Sequence, residues 1–363
     1  DKVDADTGTA LGGAVFRLET AGGEVLRLSP SGSGVWAVND QGQETFSISA
    51  SGSAEIRGIP AGEYVLQEVQ APAGYARNPE PISVTIPAAI EDPVVITAEN
   101  HPLAVRVTKT DSFSGKGLPN VRFRIENATG GALRFASVEP GVYRVAQTGD
   151  LAIQTGSDGI ATILGIREGV YQLVEESNPG FGRIEPVPFT VTAESTLDTP
   201  TAIGVENQPL ALRILKVDGQ TQEPLESVPF FLEKADGTRL SFLQQPDGAW
   251  QPASDLPTDA TGTETLLTNA EGESLLRYLP TGTYRLVEGE FFGYSMGEPL
   301  EVVLTEAHTV EVPLTMTVEN FPTALEIRKT DLLTRAPLAD VASAIHDETG
   351  TALSFAAGED GAF

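Results

Sequence analysis

The chain of 363 residues contains no cysteine. Modest β-domains of exported proteins often rely on disulfides, so these domains are either intracellular or held by another kind of crosslink. Basic residues are scarce, with 23 Lys and Arg against 51 Asp and Glu and a net charge of −28. Binding to nucleic acid or an anionic membrane needs clustered Lys or Arg, which this balance disfavours. The excess negative charge is read as solubility. No apolar run is long enough to cross a bilayer, so membrane insertion is not expected within these residues. The three histidines (His101, His308 and His346) are scattered, without metal-ligand spacing or a nucleophile partner. No phosphate loop or dinucleotide fingerprint is present. No cofactor, no metal and no conventional catalysis are therefore expected.

What the chain does have is a repeat. Lysine stands at 2, 109, 216 and 329, and Trp36, Tyr143, Trp250 and Phe363 each follow their lysine at one fixed spacing. The third unit is slightly longer, and its insertion is expected as a loop around Asp255–Gly262. Short alternating runs such as Ile82-Ser-Val84-Thr-Ile86 are separated by Gly, Pro, Asn and Asp clusters, and no helical period is sustained. About seven strands per hundred residues predicts a two-sheet sandwich in each unit. The expected divisions are 1–102, 103–209, 210–322 and a partial fourth unit, 323–363, with Pro102, Pro209 and Pro322 closing the preceding strands. A chain that starts without Met and stops inside a repeat is expected to be part of something longer.

The lysines lie on apolar faces. Leu103, Val105 and Val107 lead to Lys109, Leu210, Leu212 and Ile214 to Lys216, and Leu325 and Ile327 to Lys329. Alternation with period two points these lysines inward. Lysine is almost never buried without a partner. Two partners share the register. Tyr64-Val-Leu66-Gln-Glu68, Tyr171-Gln-Leu173-Val-Glu175 and Tyr284-Arg-Leu286-Val-Glu288 each place a glutamate on an apolar face. Ile96-Thr-Ala98-Glu-Asn100, Ile203-Gly-Val205-Glu-Asn207 and Met316-Thr-Val318-Glu-Asn320 each place an asparagine there.

Burial lowers a lysine pKa and raises a glutamate pKa, by as much as about 3–5 units. A neutral lysine amine is a nucleophile. A protonated glutamate donating to the asparagine carbonyl would polarise it for attack, leaving a Lys–Asn side-chain amide and ammonia. Fixed geometry can supply roughly 7–11 kcal/mol of such a barrier. The reaction happens once per site. The competing reading, a buried Lys–Glu ion pair capped by Asn, gains little over apolar packing and leaves the matched repetition unexplained.

These units resemble the Cna B-type, SpaA-type prealbumin-like domains of Gram-positive surface proteins and pilins. The resemblance rests on the opening Lys2-Val-Asp-Ala-Asp-Thr-Gly8, on Gly62-Glu-Tyr-Val-Leu-Gln-Glu68 with Ala71-Pro-Ala-Gly-Tyr75, and on the closing Glu99-Asn100. It covers the whole chain, although Gly289-Glu-Phe-Phe-Gly-Tyr294 of the third unit lacks the proline. It implies an all-β architecture of tandem prealbumin-like (reverse Ig-like) sandwiches, three complete and one partial. It also implies isopeptide bonds joining Lys2 to Asn100, Lys109 to Asn207 and Lys216 to Asn320, promoted by Glu68, Glu175 and Glu288. Lys329 would pair with a residue outside the chain, and Ser343 stands in that unit where the others have Phe16, Phe123 and Phe230. The implied role is a stalk of an extracellular adhesin or pilus-like protein, covalently anchored to the cell wall. Partners such as host extracellular matrix or glycan would bind through regions outside these residues.

Neither a sortase sorting signal nor a pilin-type lysine motif occurs here, so polymerisation is not expected from these residues alone. A rival reading makes the units ligand-binding modules acting through Trp36, Trp250 or acidic loops; a third makes them accessory domains of a secreted enzyme. The run Asp4-Ala-Asp6-Thr-Gly8 is only superficially like a calcium loop and is read as a polar turn.

Overall fold

Alternating runs bounded by turn residues fold as expected into strands alone. The computed structural model describes residues 1–89, 92–176, 178–253, 262–339 and 341–354. Three β-sandwiches follow one another, and their cores are separate apolar clusters. Most of the expected loop at 255–262, and Phe363, lie outside the described residues.

The second sandwich shows the plan most completely. One sheet has the strand order Phe135–Glu139, Val142–Val145, Ile160–Leu164, Ala104–Asp111, Thr201–Asn207. The other runs Ile153–Gln154, Arg122–Asn127, Gly169–Glu175, Val187–Val191. The first strand therefore lies inside its sheet, antiparallel to Ile160–Leu164 and parallel to the last strand, Thr201–Asn207. Leu103, Val105 and Val107 fill the space between the sheets and are fully buried. The third sandwich repeats both strand orders. Among the described residues each of the three units has nine strands in place of the expected seven. One extra is a two-residue strand (Ile153–Gln154, and Phe46–Ser47 or Leu266–Leu267 elsewhere), too short to show an alternation.

The first sandwich departs from this plan in one place. Its first strand is only Lys2–Asp4, paired in parallel with Ala98–Asn100. The larger sheet is split into that pair and the three strands Leu28–Gly32, Val35–Val38 and Glu55–Arg57. A cavity of about 540 Å³ in this sandwich is lined by Phe16, Leu18, Phe46, Ile56, Leu66 and Ile96 among others. The short strand nevertheless holds Lys2 fully buried.

In the partial fourth unit Leu325, Ile327 and Lys329 are exposed, and the sheet that would face them is not among the described residues. Ser343 is exposed as well.

Candidate functional site

Each sandwich brings its three polar residues together from three strands, and Phe16, Phe123 and Phe230 fix the middle one. These phenylalanines stand directly opposite Glu68, Glu175 and Glu288 on the neighbouring antiparallel strand. Each ring is at most 2% exposed and walls its carboxylate away from water. The parallel pairing of first and last strands sets Lys109 beside Val205 and Asp111 beside Asn207, so lysine and asparagine enter the same gap between the sheets. Lys216 and Asn320 are placed by the same register, and Lys2 and Asn100 by the shorter one.

In the second sandwich Lys109 Nζ lies 3.4 Å from Glu175 Oε2. Asn207 Nδ2 donates to Glu175 Oε1 at 2.8 Å and to the carbonyl of Gly182 at 2.8 Å. Lys109 Nζ, Glu175 Oε2 and Asn207 Oδ1 are buried without a hydrogen-bond partner. Unpaired buried polar atoms are rare and costly. Three in one pocket is a high-energy arrangement that joining the amine to the amide carbon would relieve. Burial brings the Lys109 pKa down to about 8 against the upward pull of Glu175, so the amine is mostly charged at pH 7, with roughly a tenth of it neutral.

The first sandwich is similar but looser. Lys2 Nζ is 3.9 Å from Glu68 Oε1, and Asn100 Nδ2 donates to Glu68 Oε2 at 2.8 Å and to the Ala76 carbonyl at 2.6 Å. The backbone N–H of Asn78 also donates to Glu68 Oε2, at 2.7 Å. Lys2 Nζ, Glu68 Oε1 and Asn100 Oδ1 have no partner, and burial lowers the Lys2 pKa. The third site differs in its amine. Lys216 Nζ donates to the carbonyls of Val318 at 3.1 Å and Val217 at 3.3 Å, while Asn320 Nδ2 keeps its hydrogen bond to Glu288 Oε1. Burial again lowers the lysine pKa, opposed first by Glu288.

In the first two units the expected residues thus meet in threes; in the third Glu288 and Asn320 meet while Lys216 Nζ turns to backbone carbonyls, and Lys329 meets none of the described residues. One expected contact is corrected. The glutamate does not donate to the asparagine carbonyl; it accepts from the side-chain nitrogen, because Nδ2 is also pulled toward a backbone carbonyl. Those carbonyls, Ala76 and Gly182, escaped the sequence reading. Each follows by one residue the aromatic of the loop after the glutamate (Tyr75 or Phe181), which was the only available signal.

The other candidates are structural. Trp36 and Trp250 are buried in their cores; Trp36 packs against Phe46 with its Nε1 donating to the Ser47 carbonyl. Asp4 Oδ1 accepts from the backbone of Asp6 and Thr7, closing the turn once likened to a calcium loop. Among the described residues no His, Asp and Glu cluster is placed to hold a metal, and no helix is long and apolar enough to cross a membrane.

A family model described as SpaA, prealbumin-like fold domain, matches the chain three times, over residues 1–101, 104–207 and 211–317. No curated protein matches the sequence. Among solved structures, the chain is similar to the Bacillus anthracis TIE protein, at 20% identity and a TM-score of 0.40. That match covers 88% of this chain and 50% of the other, so the chain spans about half its length. It is also similar to a streptococcal ancillary pilin (17% identity, TM-score 0.33, 84% of this chain and 82% of that one). The shaft pilin SpaA from Lactobacillus rhamnosus GG matches at 18% identity and a TM-score of 0.29, over 62% of this chain and 99% of its own.

Proposed function

The chain belongs to the SpaA-type prealbumin-like fold domain family, and from that premise we propose that its units, divided at 102, 209 and 322, form a surface stalk locked by Lys–Asn isopeptide bonds. It is a structural protein rather than a turnover enzyme. The observation that carries the reading is the pocket of the second sandwich, where a dry, unpaired amine and a dry, unpaired carbonyl oxygen flank one carboxylate.

The geometry suggests how the glutamate serves both ends. Oε2 faces the amine and Oε1 holds the departing nitrogen. Glu175 takes a proton from the Lys109 ammonium, and the neutral amine attacks Asn207 Cγ. As the tetrahedral centre collapses, the carboxyl passes that proton to Nδ2 and ammonia leaves; the second proton lost by the new amide nitrogen goes to the Glu175 carboxylate, from which the departing ammonia takes it as ammonium. One C–N bond forms and one breaks, with no oxidant or cofactor. Glu68 and Glu288 would do the same for Lys2–Asn100 and Lys216–Asn320.

Such a bond ties the first strand to the last. Tension entering at Lys109 leaves at Asn207 without loading the residues between them, and only the short segment to Lys216, a contour of roughly 30 Å at about 3.4 Å per residue, is left to stretch. That is what a stalk holding another part of the protein away from a bacterial cell wall requires, and it would do in a cysteine-free chain what disulfides do elsewhere.

Intact mass tests the reading: each bond should remove one ammonia, about 17 Da. Glu175→Ala should restore one such unit and lower the melting temperature. A wild-type chain at its full unlinked mass would overturn the proposal, and a Glu175→Ala chain that keeps all its deficits would remove Glu175 from the mechanism.

A further inference from the structure

Two residues beyond each crosslink lysine, on the same strand, stands an aspartate: Asp4, Asp111 and Asp218, all buried. One oxygen of each closes its own turn. Asp111 Oδ1 accepts from the backbone of Phe113, and Asp218 Oδ1 from Gln220 and Thr221. The other oxygen is aimed at the end of the sandwich where the next one begins.

At the first junction Asp4 Oδ2 accepts from Tyr75 of its own sandwich at 2.7 Å and from Arg144 Nη1 of the following sandwich at 2.8 Å. The guanidinium also donates to the Tyr75 hydroxyl, closing a triangle. At the second junction the residue equivalent to Tyr75 is Phe181, since both bridge the junction proline, Pro102 or Pro209. Phe181 has no hydroxyl to offer. Asp111 Oδ2 is satisfied instead by Tyr278 of the following sandwich, at 2.8 Å, and by Ser114.

Tyr278 occupies the place held by Gly165 one unit earlier; their N–H groups bond the equivalent Leu210 and Leu103 carbonyls. Both adopt positive φ, 62° and 73°. That conformation costs a tyrosine far more than a glycine. The ring lies edge-on to Phe181, and Arg277 stacks on Phe113 across the same junction. The backbones also meet: a Cβ on Gly74 would come within 2.5 Å of the Gly165 carbonyl, and one on Gly180 within 2.7 Å of the Tyr278 carbonyl.

We infer that Asp4 and Asp111 are sockets that capture a donor from the following domain and thereby set the angle between successive domains, the phenol having moved across the junction from Tyr75 to Tyr278. Asp218 accepts from Tyr294 of its own sandwich at 2.8 Å, as Asp4 does from Tyr75.

The chain has no cysteine of its own, so spin labels can be attached singly or in pairs after Gln41→Cys, Asp198→Cys and Glu271→Cys at exposed positions. Distances across each junction are then read by pulsed electron resonance on the full chain. Narrow distributions are expected at both junctions. Arg144→Ala should broaden the first roughly twofold and leave the second unchanged, since domains without a fixing contact move by default. Tyr278→Phe should broaden only the second, and adding Phe181→Tyr should leave it broad, because that hydroxyl belongs to the same sandwich as Asp111. An unbroadened distribution in either single variant, or a narrow second distribution in the double variant, would overturn the sockets. Intact mass on the same samples reports the isopeptide bonds separately, so failure of one idea is not failure of the other.

Discussion

Lys109 is held at the edge of losing its charge. Burial lowers its pKa to about 8 from 10.5, with Glu175 resisting. In a chain made unable to link by Asn207→Ala, the unfolded state binds the extra proton between about pH 8 and 10.5 and the folded state does not. Stability contributed by this group therefore rises with pH through that window and is flat below it. Melting curves at pH 8 and pH 10 should show the increase, and Lys109→Met should abolish it. In the wild-type chain, linking during refolding should accelerate as pH rises toward about 8, followed by mass. Phe123 is the other residue to probe. Phe123→Ser reproduces the side chain found at 343, and should cost about 3–5 kcal/mol as a large core deletion while wetting Glu175 and slowing linkage. At this scale the sequence shows the lysine, glutamate and asparagine because a repeat places three copies in register. It does not show Tyr278 above Asp111, whose separation of 167 residues spans two sandwiches.

Among the elements, the first strand has the largest role, since it carries the lysine of each site. In the second sandwich it pairs with the last strand over seven residues, Val105 to Asp111. Gly159 shows how tightly that strand is seated. It has φ 80°, and a Cβ there would lie 2.5 Å from the Lys109 carbonyl. Gly159→Ala should destabilise the second sandwich by about 1–3 kcal/mol, measured by denaturant unfolding. Strand identity was legible because alternation needs only neighbours. The two-residue strands were not, because they are too short to show an alternation.

The whole molecule is a string of separate cores with a net charge of −28, so its strength in tension rests on how the cores are bridged. Pulled from its ends, the linked chain should show no long unfolding steps. Asn207→Ala should add a single extension of about 330 Å, the length of the residues between Lys109 and Asn207 at roughly 3.4 Å each. An extension of that size already present in the wild type would count against a covalent clasp in the second sandwich.

The migration of one phenol between junctions has a consequence for assembly order. A second-type sandwich placed after another of its kind would offer Asp111 the guanidinium of Arg144 and no phenol from either side. A third-type sandwich placed after the first would bring two phenols, Tyr75 and Tyr278, to a single carboxylate oxygen. The modules are alike in architecture yet not interchangeable, and recombining them would produce a kinked or slack rod. The succession of units is thus written into their ends, as a grammar of which neighbour each accepts.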